Sequence, residues 1–255
     1  MRDQDYAELA ELAGSFIHEI KNHLSTLGLN LQLLAEDFQD PQSQRERRAL
    51  ERVQRLQGEC QRLVDVSNDF LRFARVKDLD CKPAALGGVV EELVDFFSPT
   101  ARQHHVEIKC YVPPNLPLVP LDREMFKQAL LNLLLNAQQA MPQGGEVTLQ
   151  AACEQSDAGP ARVVLHVIDT GKGMPPEVAA KAFRPFYSTR PGGTGLGLAT
   201  ARKIIEAHGG TIDLQSEVGR GTKFTIRLPV VAECPPAKAD SATNDMTSGR
   251  CQPTS

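Results

Sequence analysis

Apolar residues in the first part of the chain return every three or four positions: Leu9, Leu12, Phe16, Ile20, Leu24, Leu27, Leu31, Leu34 and Phe38. That spacing predicts one long amphipathic helix. The polar run EDFQDPQSQ stops it, with Pro41 as the breaker. A second helix is predicted from about Arg45 to Arg75, with Leu50, Val53, Leu56, Cys60, Leu63, Val64, Phe70, Leu71 and Phe73 among its apolar positions. Two helices with one stripe each cannot cover those stripes by themselves. An antiparallel helical hairpin that pairs with a second copy, giving a dimeric four-helix bundle, covers both.

The texture changes at VKDLDCKPAALGG, which reads as a linker over 77–86. Beyond it the periods mix. Val89 to Gln103 reads as helix, VEIKCYV alternates like a strand, and PPNLPLVP as turn and extended chain. A strong helix starts at Leu121 and Asp122: Asp122 caps it, and Leu121 staples onto Phe126. MPQGG ends that helix. EVTLQAAC and RVVLHVID are strands, followed by a short helix after Pro176 and a glycine-rich loop. A helix from about Leu198 to Ala207 and the strands TIDLQS and TKFTIRLP complete the set. The fold class is α+β, helices on one face of a mixed sheet. The units expected are 1–76, the linker 77–86, 87–231, and a tail 232–255 whose Pro, Ala, Ser, Asp and Thr leave little to bury and predict disorder.

Composition narrows the function classes. The 255 residues carry a formal net charge of −4, which does not advertise nucleic-acid or anionic-membrane binding. No apolar run approaches the ~18–20 residues of a membrane span, and the N-terminus has no secretory apolar region, so a cytoplasmic location is expected. Cys60, Cys81, Cys110, Cys153, Cys234 and Cys251 are scattered, with no CxxC, and are expected to be free thiols.

Three stretches of the second unit carry candidate chemistry. NLLLNAQQAM places Asn132 and Asn136 one turn apart on one helix face. Two amides inside a run of leucines cost desolvation unless something pairs with them, and a nucleotide-bound Mg²⁺ accepts such neutral oxygen ligands. In VIDTGKGMP, Asp169 ends an apolar strand, while Gly171 and Gly173 let the backbone approach a ligand. A carboxylate there can accept a hydrogen bond from an exocyclic amine such as that of adenine. In FRPFYSTRPGGTGLGLA, Gly192, Gly193, Gly195 and Gly197 precede a helix start, where backbone N–H groups hold phosphates. This is neither a Rossmann fingerprint nor a Walker A loop, since no strand–loop–helix start precedes it and no GK[ST] follows.

In this order the three stretches resemble the ATP-binding domain of sensor histidine kinases, of the Bergerat (GHKL) fold, an α/β sandwich, over about residues 87–231. The matching residues are Asn132 and Asn136 (N box), Asp169, Gly171 and Gly173 (G1 box), Phe183 and Phe186 (F box), Gly193, Gly195 and Gly197 (G2 box), and GRGTKF around Thr222. The resemblance implies that Asn136 coordinates Mg²⁺ and Asp169 binds adenine. It implies that 184–197, with Thr194 and Leu196 in the glycine loop, forms a mobile lid over the phosphates, with Arg190 a candidate γ-phosphate contact. Asn132 stands where related chaperone and topoisomerase ATPases carry a water-activating glutamate; an amide cannot be that base, so the site is expected to present ATP for transfer.

Such a site needs an acceptor, and FIHEIKNHLS in the first helix offers one. A metal site is disfavoured: His18 and Asn22 are four apart, but Asn is a poor transition-metal ligand and His23 at five points elsewhere. A neutral imidazole, with pKa near ~6.5, is a competent nucleophile at neutral pH. The stretch resembles the H box of histidine kinases of the H-E-x-K-N, nitrogen-regulation-like class, over about residues 8–76. That resemblance implies phosphorylation of His18 on Nε2, Glu19 as general base, and Asn22 orienting water when the phosphorylated partner is dephosphorylated. Lys21 reads as a solvated or docking residue. His23 replaces the proline common in this class, so a less sharply bent helix is expected, with His23 exposed and idle.

The expected function is a homodimeric histidine kinase that autophosphorylates from Mg-ATP. It passes the phosphoryl group to an aspartate of a response-regulator receiver domain and dephosphorylates that regulator. Few residues precede the first helix, so input is expected from a separate sensor protein, or the chain is cut from a longer one. The alternatives are a phosphatase-dominant regulator and a non-catalytic nucleotide-responsive dimer scaffold. The scaffold's hallmark, loss of His18, Asn136 or Asp169, is not met.

Overall fold

A computed structural model describes residues 2–74, 76, 79–156, 159–190 and 192–231, with side-chain surroundings from Glu19 onward except over 155–160. The predicted hairpin is there: α1 spans Arg2–Glu36 and α2 spans Gln44–Ala74. Pro41 falls in the turn between them. Helix α1 runs unbroken through Asn22 and His23, as a chain without a proline there allows.

The hairpin buries little of its own stripe. Leu31, Val53 and Cys60 form its small core. Leu27, Leu34, Leu56 and Leu63, all stripe positions, remain 49%, 42%, 54% and 52% exposed. Two helices present too little facing surface to cover more, as their pattern implied.

The second unit is built as β1 (Lys82–Ala84), α3 (Leu86–Gln103), β2 (Val106–Tyr111), β3 (Val119–Leu121), α4 (Arg123–Ala140), β4 (Gly145–Ser156), β5 (Gly159–Asp169), α5 (Pro176–Ala179), α6 (Gly197–Ala207), β6 (Thr211–Glu217) and β7 (Gly221–Pro229). Five strands form one mixed sheet in the order β2-β4-β5-β7-β6, with β2 parallel to β4 and the other pairs antiparallel. The alternate residues Val147, Leu149, Val163, Leu165, Val167, Phe224 and Ile226 face the core. They meet Leu93 and Phe97 of α3, Phe126, Leu130, Leu133 and Leu134 of α4, and Ile204 and Ile205 of α6. A sheet with its helices on one face is the α+β layer that the alternation predicts.

The cap and staple of α4 form as read. The Asp122 carboxylate accepts the Met125 N–H at 3.1 Å, and Leu121 and Phe126 are both fully buried. Two features escaped the pattern. Within the stretch read as linker, β1 pairs with β3, Pro83 opposite Pro120. Three-residue strands holding prolines carry no readable period. Helix α3 starts at Leu86, three residues before its predicted start, because Gly87 and Gly88 read as breakers while the buried Leu86 anchors the first turn. The thiol expectation is corrected at one position. Cys60, Cys81 and Cys110 are free, but Cys153 is disulfide-bonded, because spacing along a chain does not reveal which ends meet. Cys234, Cys251 and the tail expected to be disordered lie outside the described residues.

Candidate functional site

A cavity of about 790 Å³ opens at the end of the sheet where β5 stops, between α4, the loop before α6, and helix α2. Asn132, Asn136, Gly173, Arg190, Gly193, Thr194, Gly195, Gly197 and Thr222 all line it, while Asp169, Gly171 and Leu196 are not among its lining. Residues more than 80 positions apart therefore converge as their motifs implied. Asp69 and Arg72 of α2 line it too, as do Gln139 and Lys172. Nothing in the sequence singled these out, since a polar residue on an amphipathic helix, or a lysine in a turn, reads as solvated.

Asp169 ends β5 and is 2% exposed. Its Oδ1 accepts the Gly171 N–H at 2.8 Å. Burial raises its pKa, against the backbone N–H groups of Gly171 and Thr222 and the positive charge of Arg190, which lower it. The carboxylate is thus an acceptor held by the backbone where the strand ends. The turn after it requires glycine at Gly173, whose φ is +64°: a Cβ there would lie 1.9 Å from the Glu217 carbonyl oxygen. Thr222 is buried beside it on β7, paired with Asp169 in the sheet.

The two asparagines of α4 have different partners. Asn132 Nδ2 donates to the Gly197 carbonyl at 3.1 Å, and its Oδ1 accepts from Gln128 Nε2 at 3.3 Å. It thereby ties α4 to the first turn of α6. Asn136 Oδ1 accepts from Arg190 Nη2 at 3.1 Å, and the same nitrogen reaches the Asn136 carbonyl at 3.2 Å. Arg190 Nη1 donates to Gln139 Oε1. An Oδ1 that faces the cavity and already takes a cationic partner fits the donor set of a hard metal ion.

The loop before α6 is tethered at both ends. Phe183 packs edge-on against Phe224 of the core at 6.3 Å. Phe186 is 60% exposed, at φ +61°, and stacks on Phe70 of α2 at 6.4 Å. The two phenylalanines of one motif thus do separate jobs, which spacing alone does not distinguish. Thr194 Oγ1 donates to Asp69 Oδ2 at 2.8 Å and accepts the Leu196 N–H at 3.3 Å. Gly195, at φ +66°, passes so close to the Phe186–Tyr187 backbone that a Cβ would sit 2.6 Å from the Phe186 carbonyl carbon. Lys203 of α6 donates to the Phe73 carbonyl at 2.8 Å and lies over the Phe73 ring.

His18 lies in α1, its side chain outside those described. Glu19, Asn22 and His23 are exposed and Lys21 half-buried. Asn22 stands four residues from His18, hence on the same side of the helix. Among the described residues, the cavity draws on α2 but takes no lining from α1. The structure brings most of the nucleotide-side residues together on one cavity; Glu19, Asn22 and His23 are not among its lining. Among the described residues there is no cluster of three or more His, Cys, Asp or Glu able to hold a metal, and no helix long and apolar enough to cross a membrane.

Comparison with known proteins agrees with this geometry. The family described as histidine kinase-, DNA gyrase B-, and HSP90-like ATPase matches residues 121–232. The sensor histidine kinase ZraS of Salmonella typhi is 32% identical over 231 residues, 91% of this chain and 48% of its own length. The signal transduction histidine-protein kinase AtoS of Escherichia coli (strain K12) is 32% identical over 88% of this chain and 35% of its own. Full-length ShkA in complex with AMPPNP superposes with a TM-score of 0.67 at 30% identity, over 89% of this chain and 47% of that one. The catalytic domain of histidine kinase ThkA gives 0.52 at 28% identity, over 60% of this chain and 97% of that one. The chain thus spans about a third to a half of the curated relatives it matches. Residues 121–232 thus match the histidine kinase-, gyrase B- and HSP90-like ATPase family, within a chain similar to sensor histidine kinases over nine-tenths of its length.

Proposed function

We propose that the chain is the kinase part of a two-component system: it autophosphorylates His18 from Mg-ATP and passes the phosphoryl group to an aspartate of a response regulator. The single observation that supports this most is the convergence of Asn136, Arg190 and the glycine loop on one cavity closed by α2 of the hairpin, at the end of the sheet where β5 stops at the buried Asp169. In this reading Asp169 accepts the adenine amine, Asn136 holds Mg²⁺, and Asn132 orders the start of α6. The glycine N–H groups and Arg190 face the phosphates. The metal would neutralise phosphate charge and orient the triphosphate. His18 Nε2 is the nucleophile, and Glu19 accepts the proton from the ring. Asn132 offers no carboxylate to activate water, which favours transfer over hydrolysis.

The test is incubation of the chain with γ-labelled ATP and Mg²⁺. Label that is lost in acid and kept in base supports a phosphohistidine. Acid-stable label, or none while nucleotide still binds, overturns the kinase reading.

Asn22 is assigned to the reverse reaction on the regulator. Asn22→Ala is expected to keep autophosphorylation within about twofold and to slow regulator dephosphorylation by roughly the 10²-fold that positioned proton and water handling contributes. Equal loss in both assays contradicts the division of roles.

The half-exposed Leu27, Leu34, Leu56 and Leu63 support a second copy as the cover of the hairpin. Closing each gains on the order of 1 kcal/mol at ~25 cal/mol per Å². The double variant Leu56→Ser, Leu63→Ser is expected to sediment as a monomer at concentrations where the parent chain is a dimer. An unchanged dimer removes the four-helix bundle.

A further inference from the structure

We infer that Arg190 is a resident cation that competes with Mg-nucleotide for α4 and makes the site discriminate in favour of a nucleoside triphosphate over a diphosphate. The inference rests on the nucleotide reading above and goes further, because it gives one side chain two exclusive positions.

The guanidinium is half-buried and holds three acceptors of one helical face: Asn136 Oδ1 at 3.1 Å, the Asn136 carbonyl at 3.2 Å, and Gln139 Oε1. Asn136 and Gln139 are three apart on α4, so they present their oxygens side by side. The buried Asp169 carboxylate adds attraction for the positive charge. A planar fork with fixed donors suits this arrangement better than a point charge would.

Asn136 Oδ1 is the atom assigned to the metal. It cannot serve a divalent cation and a guanidinium together, because two like charges would share one neutral oxygen. Nucleotide entry with its metal therefore evicts Arg190 from α4, at the cost of its bonds to Asn136 and Gln139. A triphosphate offers the displaced guanidinium a terminal phosphate, which returns charge-assisted, bidentate hydrogen bonds. A diphosphate ends one phosphate earlier and returns none of that. Eviction is then compensated for the substrate nucleotide and uncompensated for the product. The second tether of the loop, Thr194 on Asp69 at 2.8 Å, lies on a different helix and survives a change at Arg190 or Gln139. The competition can thus be altered without freeing the whole lid.

The test is calorimetric binding of Mg-ADP and of a non-hydrolysable Mg-ATP analogue to the full chain. It compares the parent with Arg190→Ala and Gln139→Leu. Arg190→Ala is expected to bind ADP about fivefold more tightly, the weight of one net hydrogen bond. The same variant gains nothing for the triphosphate analogue, so the triphosphate preference falls. Gln139→Leu weakens only the resting position and is expected to tighten both ligands with their ratio kept. ADP affinity that is unchanged or weaker in Arg190→Ala overturns the inference, as does Gln139→Leu leaving both affinities unchanged. A parent chain that binds neither nucleotide would overturn the nucleotide reading itself, and this inference with it; that result is distinct, because it appears before any substitution.

Discussion

Asp169→Asn is expected to lower nucleotide affinity by about two orders of magnitude while leaving the fold at least as stable as the parent at neutral pH. The carboxylate is buried, with Oδ1 committed to the Gly171 N–H at 2.8 Å. Asparagine can keep that bond through its own oxygen, but its amide then presents a donor where the adenine amine is also a donor. A hydrogen bond to a charged acceptor contributes about 1.5–3 kcal/mol, and an unmet buried donor costs about 1–3 kcal/mol more. Stability moves the other way. Burial raises the folded pKa of Asp169 above its unfolded value. The ionised form is therefore penalised in the fold. That penalty is fully present above the raised pKa and is relieved as the pH falls through it toward the ordinary carboxylate range. The neutral asparagine never bears it. Thermal melts should show the parent gaining on the variant over that acid window. Titration with an ATP analogue near neutral pH measures the binding loss. A variant that binds normally removes Asp169 from the adenine site; one that binds poorly only because it melts early removes the stability argument.

His18→Gln is expected to abolish acid-labile labelling, a loss of several orders of magnitude, with nucleotide binding unchanged. The basis is the lining of the cavity. Among the described residues the cavity takes lining from α2 and none from α1, so a change on α1 leaves the nucleotide contacts in place. Glutamine retains the helix and its hydrogen-bonding capacity but offers no nucleophile in place of the imidazole. Acid-labile label that persists in His18→Gln would falsify His18 as the acceptor. Loss of nucleotide binding in the same variant would show that the two surfaces are not independent.

Much of this was legible in the chain because it depended on local rules. The 3.6-residue period gave α1, α2, α4 and α6. Asp122 at the cap and Leu121 beside Phe126 fixed the start of α4 within a residue. The alternation of Val163, Leu165 and Val167 gave one buried face of β5. Where the rule was not local, the pattern was silent. β1 and β3 exist because they pair with each other, and each alone is three residues with a proline. The thiol of Cys153 is bonded, which no spacing announced.

The candidate site divides in the same way. Asn136, Asp169, Gly173 and the glycine loop were identified from residue type and order, because close backbone approach admits only glycine and a buried strand end rarely tolerates a carboxylate without use. Gln139, Asp69 and Arg72 were invisible, because nothing in an amphipathic helix marks which polar residues will face another element. Residue order alone set which chemical groups the protein owns and which elements carry them, since propensity, capping and periodicity act within a few residues. Folding of the whole chain chose which groups meet: Thr194 is held by Asp69 of α2, Phe186 stacks on Phe70, and Arg190 rests on Asn136 and Gln139. Those contacts join residues 51 to 125 positions apart, and their partners are chosen by packing of whole elements, for which no short-range rule exists.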